Sequence, residues 1–188
     1  MQLKKIAKIC AATRTIVTYE HIEEGTGAVR RFVGDKFALY EVGNLGDSIT
    51  LEIMQTIFDV KKEDRPGWTF VVKPYNPEIA EILADTCEDE VGMSAYGVHL
   101  QYRGAVLIPF YGGGKIFFVE ETYFAPLRDE IKAGGIGVYW RRNWDVLTVK
   151  NGLCQTIACV SAFTLPEDVV EALRGINARV FKDHDGDE

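Results

Sequence analysis

The chain has 188 residues with 28 acidic and 21 basic side chains, which gives a formal net charge of −7. Hydrophobic residues make up 47% and charged residues 26%, a composition typical of a globular domain with one substantial core. It excludes a disordered chain, a collagen-like fibre and a coiled-coil rod. We interpret residues 1–181 as a single domain, followed at 182–188 by an acidic frayed tail.

The N-terminal segment, residues 1–42, predicts antiparallel hairpins that either belong to the domain or extend it. Residues 1–12 leave helix and strand open, because Ile6, Ile9 and Cys10 fit one helical face while a β-branched run begins soon after. The turn signal at 24–27 predicts a hairpin. The stretches rich in β-branched and aromatic residues, each predicted to be a strand, lie at 15–22, 29–33 and 37–42.

The middle of the chain predicts two helices around one strand. An apolar stripe at helical spacing predicts the first helix, with Asp47 or Ser48 as its cap. The residues of this stripe are Ile49, Ile53, Met54, Ile57 and Phe58. A strand is predicted at 68–72, and Asn76-Pro77 opens a second helix that ends near 84. Four acidic residues at 85–90 indicate a solvated loop.

The second half of the chain predicts hairpins around two further helices. Gly112, Gly113 and Gly114 separate a hairpin from the next strand, and Asn151-Gly152 is the strongest hairpin signal. The predicted strands lie at 98–102, 105–110, 115–119, 136–141, 144–149 and 153–163, and the predicted helices at 122–132 and 164–174, the last one ended by Gly175. The whole chain therefore predicts an α+β fold, mostly antiparallel sheet with three or four short helices.

No residue set has the spacing of a metal or cofactor site. The cysteines are scattered without a C-x-x-C pair, which favours buried reduced thiols over a zinc or redox site. The three histidines lie in separate segments. Gly114-Lys115 departs from a phosphate loop, because Pro109 and Ile116 occupy the positions that require glycine and a hydroxyl residue. We therefore expect no cofactor and no stoichiometric transition metal.

The N-terminal residues and the hydropathy of the chain bear on its location. No stretch approaches the ~20 consecutive apolar residues that span a bilayer. Lys4, Lys5 and Lys8 interrupt the apolar residues at the N-terminus, so no signal-peptide core forms. These features predict a cytoplasmic protein that does not contact a membrane.

The most distinctive local string alternates large aromatic residues with arginines. Its members are Tyr139, Trp140, Arg141, Arg142 and Trp144. Arginine beside aromatic side chains is typical of protein hot spots and of sites that stack nucleic-acid bases, so these five residues are our candidates for partner binding. The alternative is a hairpin with aromatic residues inside. On a regular strand Trp140 and Arg142 share a face and Arg141 points away, so a recognition surface needs a turn or bulge that gathers them.

The charge distribution limits the choice of partner. Residues 1–36 carry seven bases and four acids, and residues 37–90 carry four bases and twelve acids. Residues 91–150 carry seven and five, and residues 151–188 carry three and seven. Because no segment is strongly basic, tight sequence-independent DNA binding by one face is not expected. A protein partner is favoured, and direct nucleic-acid binding is expected to be weak.

The order from 115 to 164, a strand, a short helix and three antiparallel strands, resembles half of a domain of the bacterial DNA sliding clamp. The string FVEETYFAPL at 118–127 is similar to the strand that enters a clamp helix, and 147–160 resembles its closing hairpin. With 37–110 as the other half, the resemblance covers residues 37–164. It implies a clamp-like fold and a role in replication. Glu52 and Asp59 depart from the basic helices that a clamp turns toward DNA.

Taken together, these features predict a non-catalytic cytosolic binding or accessory protein, clamp-like in fold. One alternative is a small enzyme with a site that no motif reveals, and another is an acidic inhibitor that mimics nucleic acid. A binding module should have an apolar, aromatic main pocket, whereas an enzyme should have a converging acid–base pair with shifted pKa values. The sequence leaves the oligomeric state open.

Overall fold

The structure is a computed structural model that describes residues 3–23, 27–43, 50–73, 76–163 and 165–180. Within these ranges it contains five α-helices and eleven strands, which confirms the α+β prediction. The helices are α1 Leu3–Thr13, α2 Leu51–Ile57, α3 Pro77–Leu83, α4 Arg128–Gly134 and α5 Glu167–Val180. The strands are β1 Thr15–Ile22, β2 Val29–Gly34, β3 Ala38–Glu41, β4 Thr69–Lys73, β5 Glu90–Ala95, β6 Leu100–Tyr102, β7 Ala105–Gly112, β8 Lys115–Glu120, β9 Gly137–Arg141, β10 Val146–Lys150 and β11 Thr156–Ser161.

The described strands form one continuous network of pairings. Its order is β4-β1-β2-β3-β11-β10-β9-β5-β7-β6, and β8 pairs with β7. The pairs are antiparallel except for β1 and β4, which run parallel. Strands that are distant in sequence thus meet inside the sheet, since β3 of the N-terminal segment pairs with β11 of the last hairpin. The N-terminal hairpins therefore belong to the sheet rather than extending it.

Helices cover both faces of this sheet. One core cluster lies under α1, α2 and the 3-10 helix Glu121–Leu127, with Ile6, Met54 and Phe124 among its buried members. A second cluster lies between the other face and α3, where Leu83 packs with Cys159. A third joins Leu165 and the start of α5 to β7 and β8. Each cluster is thus built from strand residues together with residues of a helix.

The first segment resolves to a helix. Ile6, Ile9 and Cys10 of α1 are buried on one side, as the helical spacing indicates. The Cys10 thiol donates to Gly34 O at 3.1 Å, which fixes the helix against β2. α1 raises the number of α-helices in the described residues to five, one more than the upper end of the prediction.

The prediction for α2 is wrong in its cap and in its buried face. The helix begins after Thr50, whose hydroxyl accepts from Ile53 N at 3.3 Å. The predicted caps Asp47 and Ser48, with Ile49, lie outside the described residues. Met54 and Phe58 are buried, but Ile53 and Ile57 are exposed. The helix therefore turns Met54 and Gln55 toward the core, and not the side of the predicted stripe that carries Ile53 and Ile57.

The C-terminal elements differ from the prediction in their bounds. β11 is shorter than the predicted strand, because Asn151 Oδ1 accepts from Leu153 N and Gln155 N and so extends the turn before it. α5 continues past Gly175 to Val180, so this glycine does not end the helix. Residues 164 and 181–188 lie outside the described residues. No described helix is both long and apolar enough to span a membrane.

Candidate functional site

β5 changes its partner halfway along its length. Glu90 to Met93 pair with β9, whereas Ser94 and Ala95 pair with β7. The crossing is close at Gly112, where a Cβ atom would overlap Gly92 O and lie 2.7 Å from Met93 Sδ. Glycine is therefore required at 112, and a cleft opens beside the crossing between β5, β9 and β7.

This apolar cleft has a volume of about 640 Å³. Its walls are mostly aliphatic and aromatic, with Ile108, Phe110, Phe124, Ile131, Ile136 and Val138 among them. Polar groups at its edge include Tyr96 and His99. Burial raises the pKa of Tyr96, whose hydroxyl has no hydrogen-bond partner in the described residues. The size and lining are typical of a site that holds a ligand or a partner's side chain.

A second, acidic cleft of about 460 Å³ lies on the other side of Tyr139. It is lined by Asp85, Thr86, Cys87, Glu88, Glu90, Tyr139, Lys150 and Cys154. Tyr139 is the residue that lines both the acidic and the apolar cleft. Its ring extends along β9 over Gly137, where a Cβ atom would lie only 2.6 Å from Cε2 of Tyr139. The absence of a side chain at Gly137 therefore leaves room for the Tyr139 ring between the two clefts.

Glu90 holds two buried cations beneath the acidic cleft. Lys150 Nζ lies 2.6 Å from Glu90 Oε1 and 2.7 Å from Oε2, and 4.6 Å from the centroid of the Tyr139 ring. Arg141 Nη1 lies 3.1 Å from Glu90 Oε2. Arg141 also donates to Ala84 O, and its side chain is 0% exposed. Burial lowers the pKa of Arg141, and the negative charges of Asp85 and Glu81 oppose this shift.

Arg30 repeats this arrangement at the neighbouring strands. It makes a bidentate pair with Glu41, with both nitrogen–oxygen distances 2.9 Å, and it donates to Asp85 Oδ1 at 2.9 Å. Asp85 Oδ1 also accepts from Thr156 N at 2.7 Å. Burial lowers the pKa of Arg30, but the hydrogen bonds and charges of Glu41 and Asp85 outweigh it and raise the pKa overall.

These contacts correct the interpretation of residues 85–90 as a solvated loop. Glu88 and Asp89 are exposed, as expected. Asp85 instead pairs with the half-buried Arg30 of β2, and Glu90 pairs with the buried Arg141 of β9 and Lys150 of β10. The acid excess of this segment compensates buried positive charge, which spacing along the sequence does not reveal.

His21 is the described histidine that is buried. It lies opposite Arg30 in the pairing of β1 with β2, and its ring contacts Phe32 edge-on at 6.5 Å. Burial, with a smaller contribution from the charge of Arg30, lowers its pKa. The folded state therefore favours the neutral imidazole, and stability from this group is lost as the pH falls below the ordinary histidine pKa. His21 lines neither the apolar nor the acidic cleft.

The structure separates the members of the aromatic–arginine string. Trp140 is buried in the main core, with its ring 5.1 Å from that of Phe117. Arg142 is exposed and its guanidinium lies 5.8 Å from the Trp140 ring, whereas Arg141 is fully buried. Trp144 is half-buried in the turn that follows β9. The turn does not gather the two arginines on one surface, and Tyr139 is the member that lines the candidate site.

The cysteines divide into two pairs by exposure, so the expectation of buried thiols is met by two of them and not by the other two. Cys10 and Cys159 are buried, and burial raises the pKa of Cys10 and raises that of Cys159 to about 12. Cys154 is exposed and Cys87 is half-buried, both at the acidic cleft. We expect two of the four thiols to react quickly with a thiol reagent in the folded protein and all four after denaturation without reductant. Fewer than four in the denatured protein would contradict the expectation of reduced thiols.

The described residues contain no group of three or more histidine, cysteine, aspartate and glutamate side chains arranged to hold a metal ion. The candidate site consists instead of an apolar cleft and an acidic cleft that share Tyr139.

No protein-family model, curated protein or solved structure matches the chain.

Proposed function

We propose that this chain is a non-catalytic binding or accessory protein that holds a segment of a protein partner across the apolar and acidic clefts. The observation that carries the proposal is the position of Tyr139, which lines both clefts. One segment can therefore place a large apolar side chain on one side of this ring and a charged side chain on the other.

The charges of the acidic cleft select the second side chain. Its lining carries Asp85, Glu88 and Glu90 against Lys150 alone, and Lys150 is already paired with Glu90. Glu88 is exposed and supplies an accessible carboxylate. The partner segment is therefore expected to carry an arginine or lysine close to a large apolar residue, which also suits the net charge of −7.

The apolar cleft supplies the larger part of the binding energy. Side chains buried in well-packed pockets dominate affinity, whereas charged contacts at the rim mainly affect specificity and association rate. Ile131 lines this cleft from α4 and is 43% exposed, so it is available to a partner without being needed for the core.

The test is selection from a random peptide library displayed on phage, followed by calorimetric titration of the selected peptides. We expect enrichment of sequences that combine a large apolar residue with a neighbouring arginine or lysine. Ile131→Glu should weaken binding by about 2 kcal/mol or more, because it places a charge in the apolar contact. Glu88→Gln should weaken it by less than about 1 kcal/mol, and more at low salt than at high salt.

Val72→Glu is the matched control. Val72 is 62% exposed on β4, at the far end of the strand order, and its replacement adds the same charge outside both clefts. Binding should be unchanged in this variant. Selected peptides without the apolar–basic pattern, or an equal loss in both glutamate variants, would contradict the proposed site.

A clamp-like role in replication is a narrower form of the same proposal. It is supported by the order of β8, the 3-10 helix with α4, and the three consecutive strands β9, β10 and β11. Glu52 on α2 does not suit a helix that faces DNA. The measurement that addresses this form is retention on closed circular DNA compared with the same DNA linearised, since an encircling ring escapes only over free ends.

A further inference from the structure

A second pair of clefts meets at Phe37. One, of about 520 Å³, lies beside β1, β3 and β4 and includes Lys36 and Lys73 in its lining. The other, of about 370 Å³, lies between α1 and the 3-10 helix and includes Lys5 and Lys8. Phe37 lines both, so we call the two clefts together the basic groove. The basic groove shares no residue with the apolar or acidic cleft.

Phe37 is presented to solvent by a rigid turn. Asp35 Oδ1 accepts from Phe37 N at 2.9 Å and from Ala38 N at 3.0 Å, which fixes the backbone between β2 and β3. The Phe37 side chain is 42% exposed, and its ring contacts Tyr123 edge-on at 6.5 Å. Lys36 Nζ lies 4.8 Å from the Phe37 centroid. An aromatic face with a cation beside it is thus held at the junction of the clefts.

The lysines of the groove have no carboxylate partner within the described residues. None of Lys5, Lys8, Lys36 and Lys73 takes part in a described ion pair. The two acids in the lining are already engaged, since Asp35 holds the turn and Glu120 accepts from Thr122 Oγ1 at 2.8 Å. By contrast, Arg30 and Arg31 of the same N-terminal segment are paired with glutamates. In a protein with a net charge of −7, four lysines without a described carboxylate partner therefore line this one groove.

We infer that the basic groove binds single-stranded nucleic acid. Lysines on both sides of Phe37 can contact successive phosphates, while one unstacked base lies on the Phe37 ring. Base stacking on an aromatic ring is stronger than an exposed cation–π contact, so a base displaces Lys36 and releases its ammonium for a phosphate. A double-stranded helix offers no unstacked base for Phe37, which is why the inference is limited to single strands.

The binding is expected to be weak and independent of sequence. Four lysines give few phosphate contacts, and the dissociation constant at physiological salt should lie in the range of about 1–100 μM. For single strands the logarithm of the association constant falls with the logarithm of the salt concentration with a slope of about −0.7 per phosphate neutralised, so four lysines give about −2.8. This slope and the contribution of Phe37 can be measured separately.

The experiment is a titration of the full-length protein against a fluorescently labelled oligothymidylate of about 12 nucleotides, followed by anisotropy at several salt concentrations. The double variant Lys5→Gln with Lys8→Gln should reduce the salt slope by about 1.4, the contribution of two phosphates. Phe37→Ala should lower the affinity roughly 5- to 150-fold, the loss of one stacked base, and leave the slope unchanged.

Matched controls lie outside the groove. Lys61→Gln with Lys62→Gln removes two exposed lysines, and Phe163→Ala removes an aromatic side chain that is 37% exposed. Neither control variant should measurably change the affinity for the oligonucleotide or the slope of its salt dependence. A polyglutamate of equal length should bind at least several-fold more weakly than the oligonucleotide, and ATP alone should bind more weakly than the strand because it reaches fewer lysines.

Equal binding of polyglutamate, or unchanged affinity in Phe37→Ala, would overturn the inference by reducing the groove to a nonspecific positive surface. Undetectable binding at low salt would overturn it outright, and tighter binding of ATP than of the oligonucleotide would replace it with a nucleotide site. The basic groove and the clefts beside Tyr139 share no residue. The peptide experiment therefore tests the proposed protein-binding site independently of the nucleic-acid result.

Discussion

Replacing Glu90 by alanine is expected to lower the free energy of unfolding by about 3–5 kcal/mol, the cost of removing one member of a buried ion pair. Lys150 Nζ and Arg141 Nη1 both pair with this carboxylate, at 2.6 Å and 3.1 Å. Their side chains are 4% and 0% exposed, so both cations are poorly hydrated and the loss of their partner is costly. The variant removes the carboxylate that pairs with both buried cations, which is why the effect should exceed that of an ordinary surface glutamate.

The measurement is urea unfolding followed by tryptophan fluorescence, with the midpoint and slope compared between variants. Glu88→Ala is the matched control, since Glu88 lines the same cleft but is exposed, and it should change stability by no more than about 0.5 kcal/mol. A further variant that combines Glu90→Leu with Lys150→Met and Arg141→Met should recover part of the loss, because it removes the charges together. A loss below about 1 kcal/mol in Glu90→Ala would mean that the cations find other compensation.

This network also connects stability with the proposed binding site. Glu90 places the Lys150 ammonium 4.6 Å from the Tyr139 ring, and Tyr139 divides the two clefts. Hydrogen bonds of Asp85 to Arg30 and Thr156 hold the start of the same segment against β2 and β11. The walls of the acidic cleft are therefore fixed before a partner binds, which reduces the ordering cost of association.

Local patterns were sufficient for most elements of the fold. The hairpin of β6 and β7 turns at Arg103 and Gly104, where φ is +48° and +85°, and the hairpin of β7 and β8 turns at Gly113 and Gly114. Asn76 caps α3 through Glu78 N and Ile79 N, as the Asn-Pro signal predicts. Signals of this kind act over a few residues, so the sequence displays them directly.

Long-range pairings were not predictable in the same way. β1 pairs in parallel with β4 across more than 50 positions of sequence, which no turn residue specifies. β5 has no strand pattern, because Gly92 and Ser94 lower its propensity, and it forms through pairing with β9 and β7. The end of α5 was predicted wrongly at Gly175 for a different reason. A glycine is tolerated within a helix and does not by itself end it.

The candidate site shows the same limit. Strand alternation correctly placed Arg141 on the side of β9 away from Trp140 and Arg142, but it did not reveal the burial of Arg141. Its partners come from residues 84 and 90, which are brought beneath β9 only by the pairing of β5. The acid excess at 85–90 was the one feature of the sequence that could have indicated these ion pairs, because such carboxylates can compensate basic side chains buried nearby.

Replacing Gly34 by alanine is expected to be the most disruptive single-methyl change in the described residues. Gly34 lies in β2, an interior strand of the sheet, opposite Val17 of β1 and Leu39 of β3. A Cβ atom there would overlap Ala38 O and lie 2.8 Å from Ala38 C, so the obstruction is backbone rather than a side chain that can rotate. We expect a loss of about 3 kcal/mol or more in unfolding free energy, the upper end of the cost of overpacking.

Gly43→Ala is the control, because a Cβ atom at Gly43 meets nothing within 4 Å and the change should be neutral or stabilising by up to about 1 kcal/mol. Gly34→Ala should also bind single-stranded nucleic acid more weakly, even after the affinity is corrected for the fraction of unfolded protein. The reason is that Ala38 belongs to the turn that presents Phe37. Phe37→Ala should separate the two effects, because it should lower the affinity for single strands and leave the unfolding midpoint nearly unchanged. If Gly34→Ala keeps both wild-type stability and wild-type binding, the turn from Gly34 to Ala38 is not rigid, and the argument for a preorganised aromatic platform fails with it.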